Sequence, residues 1–209
     1  MTAPTVKNEQ VALPTVPVNE NTERIFHEAW LMFQELGYRG ASIDELCQRC
    51  NLTKPTLYYY FGNKERLFIQ VMLRQLQGYR AILQSTEPLT TRLEALAAAM
   101  LASFSTDISS MMHDMAHIHD PALHRVVNQA FRRELMDPLI AVMQAGMTTG
   151  QLRADEPEFY AWIFLGLVNT FIRTKSSTTQ AALPPANLLA RRLVAFFLVG
   201  AETFQDRKE

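Results

Sequence analysis

The sequence predicts an all-α fold of about nine helices, with a compact three-helix unit at the front and a larger helical part behind it. Three observations carry that expectation. From Asn21 onward apolar residues recur three and four apart, as one face of a helix requires. Strand-like alternation and hairpin dipeptides such as Asn-Gly are missing. Ser42, Thr53, Asn63 and Asp120 each stand just before a periodic segment, and these are the residue types that accept the orphan N–H groups of a helix start.

With 209 residues and 48% hydrophobic content, the chain can bury a core without staples. Its longest apolar runs, such as 193–201, reach about half of the roughly 20 residues that cross a bilayer, and no charged region followed by an apolar core opens the sequence. No membrane or secretion segment is therefore expected. The only two cysteines, Cys47 and Cys50, are three apart and cannot link distant segments, which fits a reducing cytoplasm. A formal net charge of −1 argues against a general polyanion binder, so nucleic-acid contact must rest on local charge and helix ends. Residues 21–83 hold eight Lys/Arg against six Asp/Glu, and residues 84–209 hold eleven against thirteen, so the front is slightly basic and the rear slightly acidic.

Residues 1–20 contain Pro4, Pro14 and Pro17 and no aromatic residue, which predicts a disordered arm with Lys7 its single cation. A first unit follows at 21–67. Its first helix is expected over 22–36, with Ile25, Ala29, Phe33 and Leu36 on one face and Gly37 as the stop. Ser42 with Glu45 forms a capping box for a second helix that ends near Cys50. Thr53 opens a third with Pro55 in its first turn, and Asn63 caps a fourth over 64–83. Residues 68–209 form the second part. Pro88, Pro121 and Pro157 punctuate helices expected at 90–105, 107–118, 121–147, 156–175 and 187–205, with Gly146 and Gly150 closing the third of these.

Residues 37–65 carry the chemistry. A helix, a tight turn and a second short helix form the unit whose second member fits the roughly 12 Å major groove of B-DNA. The turn falls at Asn51, the non-glycine residue type most tolerant of positive φ. Leu46, Leu52 and Leu57 can then pack the helices together, leaving Thr53, Lys54, Thr56, Tyr58 and Tyr59 outward, a hydroxyl-rich face with a cation and aromatic rings that suits phosphates and base edges.

On these residues, the stretch 22–67 resembles the DNA-binding part of the TetR family of bacterial regulators (AcrR-like), in which a recognition helix ends in a Tyr-x-x-Phe-like element followed by a lysine. Tyr58 to Phe61 and Lys64 occupy those places. Cys47, Cys50 and Asn51 stand where that family usually has alanine, alanine and glycine, and Ser42 where threonine is common, all conservative in size or backbone role. The resemblance implies that Ser42 and the start of the second helix hold a phosphate, that Lys54, Pro55, Thr56 and Tyr58 face the groove, and that Tyr59, Tyr60 and Lys64 clamp the backbone. It implies a sequence-specific regulator, chiefly a repressor, that binds a double-stranded inverted-repeat operator as a homodimer and leaves it on binding a small, mostly apolar effector.

The second part is similar to that family's variable helical domain, where a pocket precedes two helices that build a four-helix bundle with a second subunit. The run 150–158, followed by an apolar helix through Gly166, is similar to what precedes the first of those two. Phe159, Trp162, Ile163, Leu167 and Phe171 line one late helix, and Leu189, Leu193, Phe196, Phe197 and Val199 the other; helices this apolar must be covered on two sides. The dimer interface is expected at Trp162, Ile163, Gly166, Leu189, Leu193, Phe196, Phe197 and Gly200, the glycines allowing close approach. Phe104, Met111, Met115, Phe131, Leu135, Trp162 and Phe164 are expected to converge on an effector pocket, with His117 and His119 as polar groups beside it.

Other signals are weaker. Cys47 and Cys50 lack a second pair to complete a zinc site and are read as small apolar fillers. Four of the five histidines, His113, His117, His119 and His124, crowd into 113–124 with Asp114 and Asp120. His113 and His117 have the spacing by which two imidazoles share a metal, so a metal-responsive regulator is an alternative, although no fixed ligand motif is completed. A helical metal-dependent hydrolase lacks the wider histidine and aspartate array. A constitutive architectural DNA-binding dimer is a third class. No cofactor is expected, because nucleophile elbows, phosphate-binding glycine loops and dinucleotide fingerprints are missing.

Overall fold

The computed structural model describes residues 13–14, 16–104, 113–176 and 183–201, and every regular element among them is helical. The front unit is α1 (Glu20–Gly40), α2 (Ile43–Cys50) and α3 (Lys54–Phe61), followed by α4 (Lys64–Leu76). The short α5 (Tyr79–Leu83) and α6 (Leu89–Ser103) come next, then a 3₁₀ turn at Met115–His117, α7 (Pro121–Phe131), α8 (Asp137–Thr148), α9 (Pro157–Ser176) and α10 (Ala186–Ala201).

The expected caps are in place, since Ser42, Thr53, Asn63 and Asp120 all accept backbone N–H groups through their side chains. The first helix begins earlier than 22 because Asn19 and Thr22 cap each other reciprocally. The arm is not wholly detached either: Leu13 and Val16 pack on the core, and the Thr22 hydroxyl donates to the Pro17 carbonyl at 2.6 Å. Gly37 breaks helical geometry at φ 67° as expected, but the chain regains a last turn to Gly40.

Two breaks depart from the expected pattern. The helix expected over 64–83 is interrupted at Gln77 and Gly78, whose φ of 96° is open to glycine at no steric cost. The helix expected over 121–147 continues through five π-helical residues at Arg132–Met136, where the Asp137 N–H bonds the Arg132 carbonyl. Pro138, two residues into α8, explains the wider turn: proline has no N–H to give residue 134 and its ring clashes with that carbonyl. The first half of the helix expected over 107–118 lies outside the described residues, and its end is the 3₁₀ turn.

α6 lies along α10 and α9, α9 along α8, and α4 against α1 and α7. One continuous apolar core runs from Ile25 in α1 to Phe197 in α10. Among the described residues no helix is long and apolar enough to cross a membrane.

Candidate nucleic-acid interface and internal cavity

The helix-turn-helix is fixed from within. Leu46 and Leu57 are buried and Leu52 is half-buried beside them, and Asn51 sits at φ 51°, ψ 50°, closing α2 in the left-handed region. Arg24 of α1 donates to the Cys50 carbonyl at 2.7 Å, holding the end of α2. Cys47 and Cys50 are buried thiols; burial pushes Cys50 up to about 11, with nearby Glu28 adding to the effect. They fill space as expected of small apolar residues and are far from the thiolate state.

Outward from this frame, Tyr59 is 83% and Tyr58 41% exposed. The Thr53 and Thr56 hydroxyls lie 2.8 Å apart, and Lys54 Nζ stands 2.8 Å from Asp44 Oδ1 across the two helix starts. Pro55 is exposed in the first turn of α3, and Ser42 caps α2. Tyr60 is half-buried, its ring edge-on to Tyr59 and Phe61. Lys64 is half-buried with its ammonium 4.6 Å over the Tyr38 ring; burial lowers its proton affinity and Asp114 acts in the opposite sense.

Asp114, which the sequence places among the crowded histidines, accepts the Tyr38 N–H at 2.7 Å beside the Gly37 kink. His119 gives its backbone N–H to Glu65 Oε1 at 3.1 Å, with its ring Nδ1 3.0 Å from the same oxygen, and His124 Nε2 stands 2.9 Å from the Ile118 carbonyl. The histidine-rich segment thus clasps the C-terminal end of α1 and the start of α4. His113 and His117 have their ring centroids 6.3 Å apart, and no group of three metal-binding side chains converges among the described residues.

A cavity of about 630 Å³ opens between the middle helices. Phe104, Phe131, Leu135 and Trp162 line it, as expected. Met115 and Phe164 are core residues elsewhere, Phe164 with its ring 5.2 Å from that of Phe197, and His117 and His119 lie outside it. Met111 lies outside the described residues. Sequence reasoning missed Trp30 of α1, Met72, Gln75 and Leu76 of α4, Tyr79, Met100, Val127, Asn128, Arg132, and Leu165 and Asn169 of α9; Gly166 was expected only at a subunit interface. No local signal marks them, because helix residues that face a cavity share the periodicity of those that face a core.

The expected interface splits. Trp162, Ile163, Gly166, Phe196 and Gly200 are exposed on α9 and α10, together with Phe159 and Val199. Leu189, Leu193 and Phe197 are instead buried within the protomer, where α10 packs on α6 and α9.

Residues 25–71 match the model of bacterial regulatory proteins of the tetR family, and residues 87–199 match the C-terminal domain of AefR-like transcriptional repressors. The transcriptional activator FasR of Mycolicibacterium smegmatis is 31% identical over 88 residues, 40% of this chain and 40% of FasR, so the chain spans less than half the length of that relative. The repressor KstR2 of Rhodococcus jostii is 26% identical over 144 residues, 64% of this chain and 69% of KstR2. Among solved structures, the TetR family regulator PfmR from Thermus thermophilus aligns with a TM-score of 0.69 at 25% identity, covering 86% of this chain and 100% of PfmR. With its recognition unit and its larger helical part both matched, the chain belongs to the tetR family of bacterial regulatory proteins and is a DNA-binding transcriptional regulator.

Proposed function

We propose that the protein is a cytoplasmic, homodimeric repressor without enzymatic activity, released from an inverted-repeat operator by a small, mostly apolar ligand. The observation that carries this is α4: it starts at Lys64, directly after the recognition helix, and ends with Met72, Gln75 and Leu76 in the cavity wall. A ligand that alters the seat of α4 alters the placement of α3 against DNA. The start of α2 at Ser42 holds a backbone phosphate. Thr53, Lys54, Pro55, Thr56 and Tyr58 face the groove, and Tyr59 and Lys64 clamp the backbone, with Tyr60 dividing its surface between clamp and core. The exposed apolar residues of α9 and α10 pair with those of a second subunit, because an uncovered patch of this kind marks an interface.

A hundredfold loss of operator affinity needs about 2.7 kcal/mol of coupling, provided the ligand binds the released form better. The test is a gel shift on operator DNA with and without a panel of apolar compounds. DNA binding that no apolar compound weakens would remove the effector role. FasR, an activator, favours a second reading in which the same protein activates from a different operator position; a reporter assay in which removal of the gene lowers transcription would establish it.

A further inference from the structure

α4 runs between two open spaces. On one side Met72, Gln75 and Leu76 form a wall of the cavity. On the other, Gln70, Leu73 and Arg74 line a groove of about 300 Å³. At 3.6 residues per turn these two sets are centred roughly 160° apart around the helix, on opposite faces. The flanks between them are closed, with Ile69 on one and Leu67 and Val71 on the other, all at most 1% exposed. Close-packed flanks resist displacement, so a shift of α4 runs along the line from cavity to groove. The N-terminal arm supplies another wall of that groove. Leu13 and Val16 are half-buried on the core and line it together with Pro17. The arm is fixed in place: the Pro17 carbonyl accepts from the buried Thr22 hydroxyl at 2.6 Å, and prolines at 14 and 17 restrict its backbone. Arg74, from the same face of α4, pairs with Glu23 and lies 4.8 Å over the Phe26 ring, tying α4 to the start of α1.

We propose that the arm is a brake on effector release: it holds the C-terminal half of α4 from the side opposite the cavity, and the groove is the space into which an occupied cavity drives that half. This rests on the assignment of the cavity as the effector site. The form described is the held one, with α4 against α1. Moving α4 toward the groove closes empty volume, but it unseats Leu13 and Val16 and disturbs the Arg74 tie. That cost favours the held form, so the effector must supply more differential binding before the operator is released. A weaker arm leaves the held form dominant yet raises the small population of the released one. A ligand that prefers the released form then binds more tightly by the same factor.

The chain has two tryptophans, Trp30 and Trp162, and both line the cavity, so intrinsic fluorescence reports occupancy directly. The experiment titrates 1-nonanol into the unchanged protein, into Leu13→Ser with Val16→Ser, and into the conservative Leu13→Ile with Val16→Ile. Operator affinity of each is measured by gel shift without the alcohol. The serine variant should bind 1-nonanol roughly three- to tenfold more tightly, up to the worth of two half-buried aliphatic side chains. Its operator affinity should stay within about twofold, because the held form still dominates. The isoleucine variant should match the unchanged protein in both measurements. Equal 1-nonanol affinity in the serine variant and the unchanged protein would overturn the brake and leave the cavity as the effector site. So would a serine variant that loses operator affinity while binding 1-nonanol no better, which would place the arm on DNA. If 1-nonanol does not bind the unchanged protein, the effector assignment falls and the brake with it.

Discussion

Lys54 and Lys64, both proposed to contact DNA, have partners already in place, which separates what each does. Lys54 is held to Asp44 by an exposed, solvent-screened ion pair, so a phosphate can take the place of Asp44 at little cost. Lys64 is half-buried over Tyr38 and close to Asp114, so it also ties α1 to α4. Lys54→Ala should lower affinity for all DNA and reduce the slope of log affinity against log salt by about 0.9 per lost phosphate contact, without loss of stability. Lys64→Ala should lower the melting temperature as well, and an unchanged melt would show that Lys64 serves DNA alone. Thr56→Ala should instead blunt the preference for operator over unrelated sequence, read by competition gel shift. Cys47 and Cys50 should resist a thiol reagent at neutral pH in the folded protein and react once it is unfolded. The caps at Ser42, Thr53 and Asn63 and the turn at Asn51 were legible because their physics spans three or four residues. The pairing of Asp114 with Tyr38, 76 positions apart, is made by tertiary packing and leaves no mark in the sequence.

At the scale of elements, helix starts were legible and two interior breaks were not. Gly78 interrupts a periodic run that continues on both sides of it, and an isolated glycine is tolerated within a helix, so periodicity alone joined α4 to α5. A side chain at position 78 would meet nothing within 4 Å, which leaves backbone strain as the whole cost. Gly78→Ala should therefore destabilise the protein by about 1–2 kcal/mol in urea denaturation. Pro138 was equally informative in retrospect: a proline two residues into a helix signals a local adjustment upstream, and here that adjustment is the π turn carrying Arg132 and Leu135 to the cavity.

For the molecule as a whole, the apolar stripes of the last two helices were legible as doubly covered, but not which stripe meets which cover. A protomer's own core and a second subunit make the same demand on side-chain chemistry, so Leu193 and Phe196 looked alike. One is buried and the other 74% exposed. Phe196→Asp should yield folded monomers by light scattering, whereas Leu193→Asp buries a charge beside α6 and should unfold the protomer, at a cost of several kcal/mol. A fully dimeric Phe196→Asp protein would move the interface elsewhere. Trp30 carries a further consequence. It belongs to the first helix of the DNA-reading half, yet it forms a wall of the cavity, with its ring 5.1 Å from that of Phe104. A compound that fills the cavity must therefore stabilise both halves together, by about 2.7 kcal/mol at a hundredfold excess over its Kd. In hydrogen–deuterium exchange, the slowest amides of α2, which contributes no residue to the cavity wall, should then exchange about a hundredfold more slowly wherever their release requires global opening.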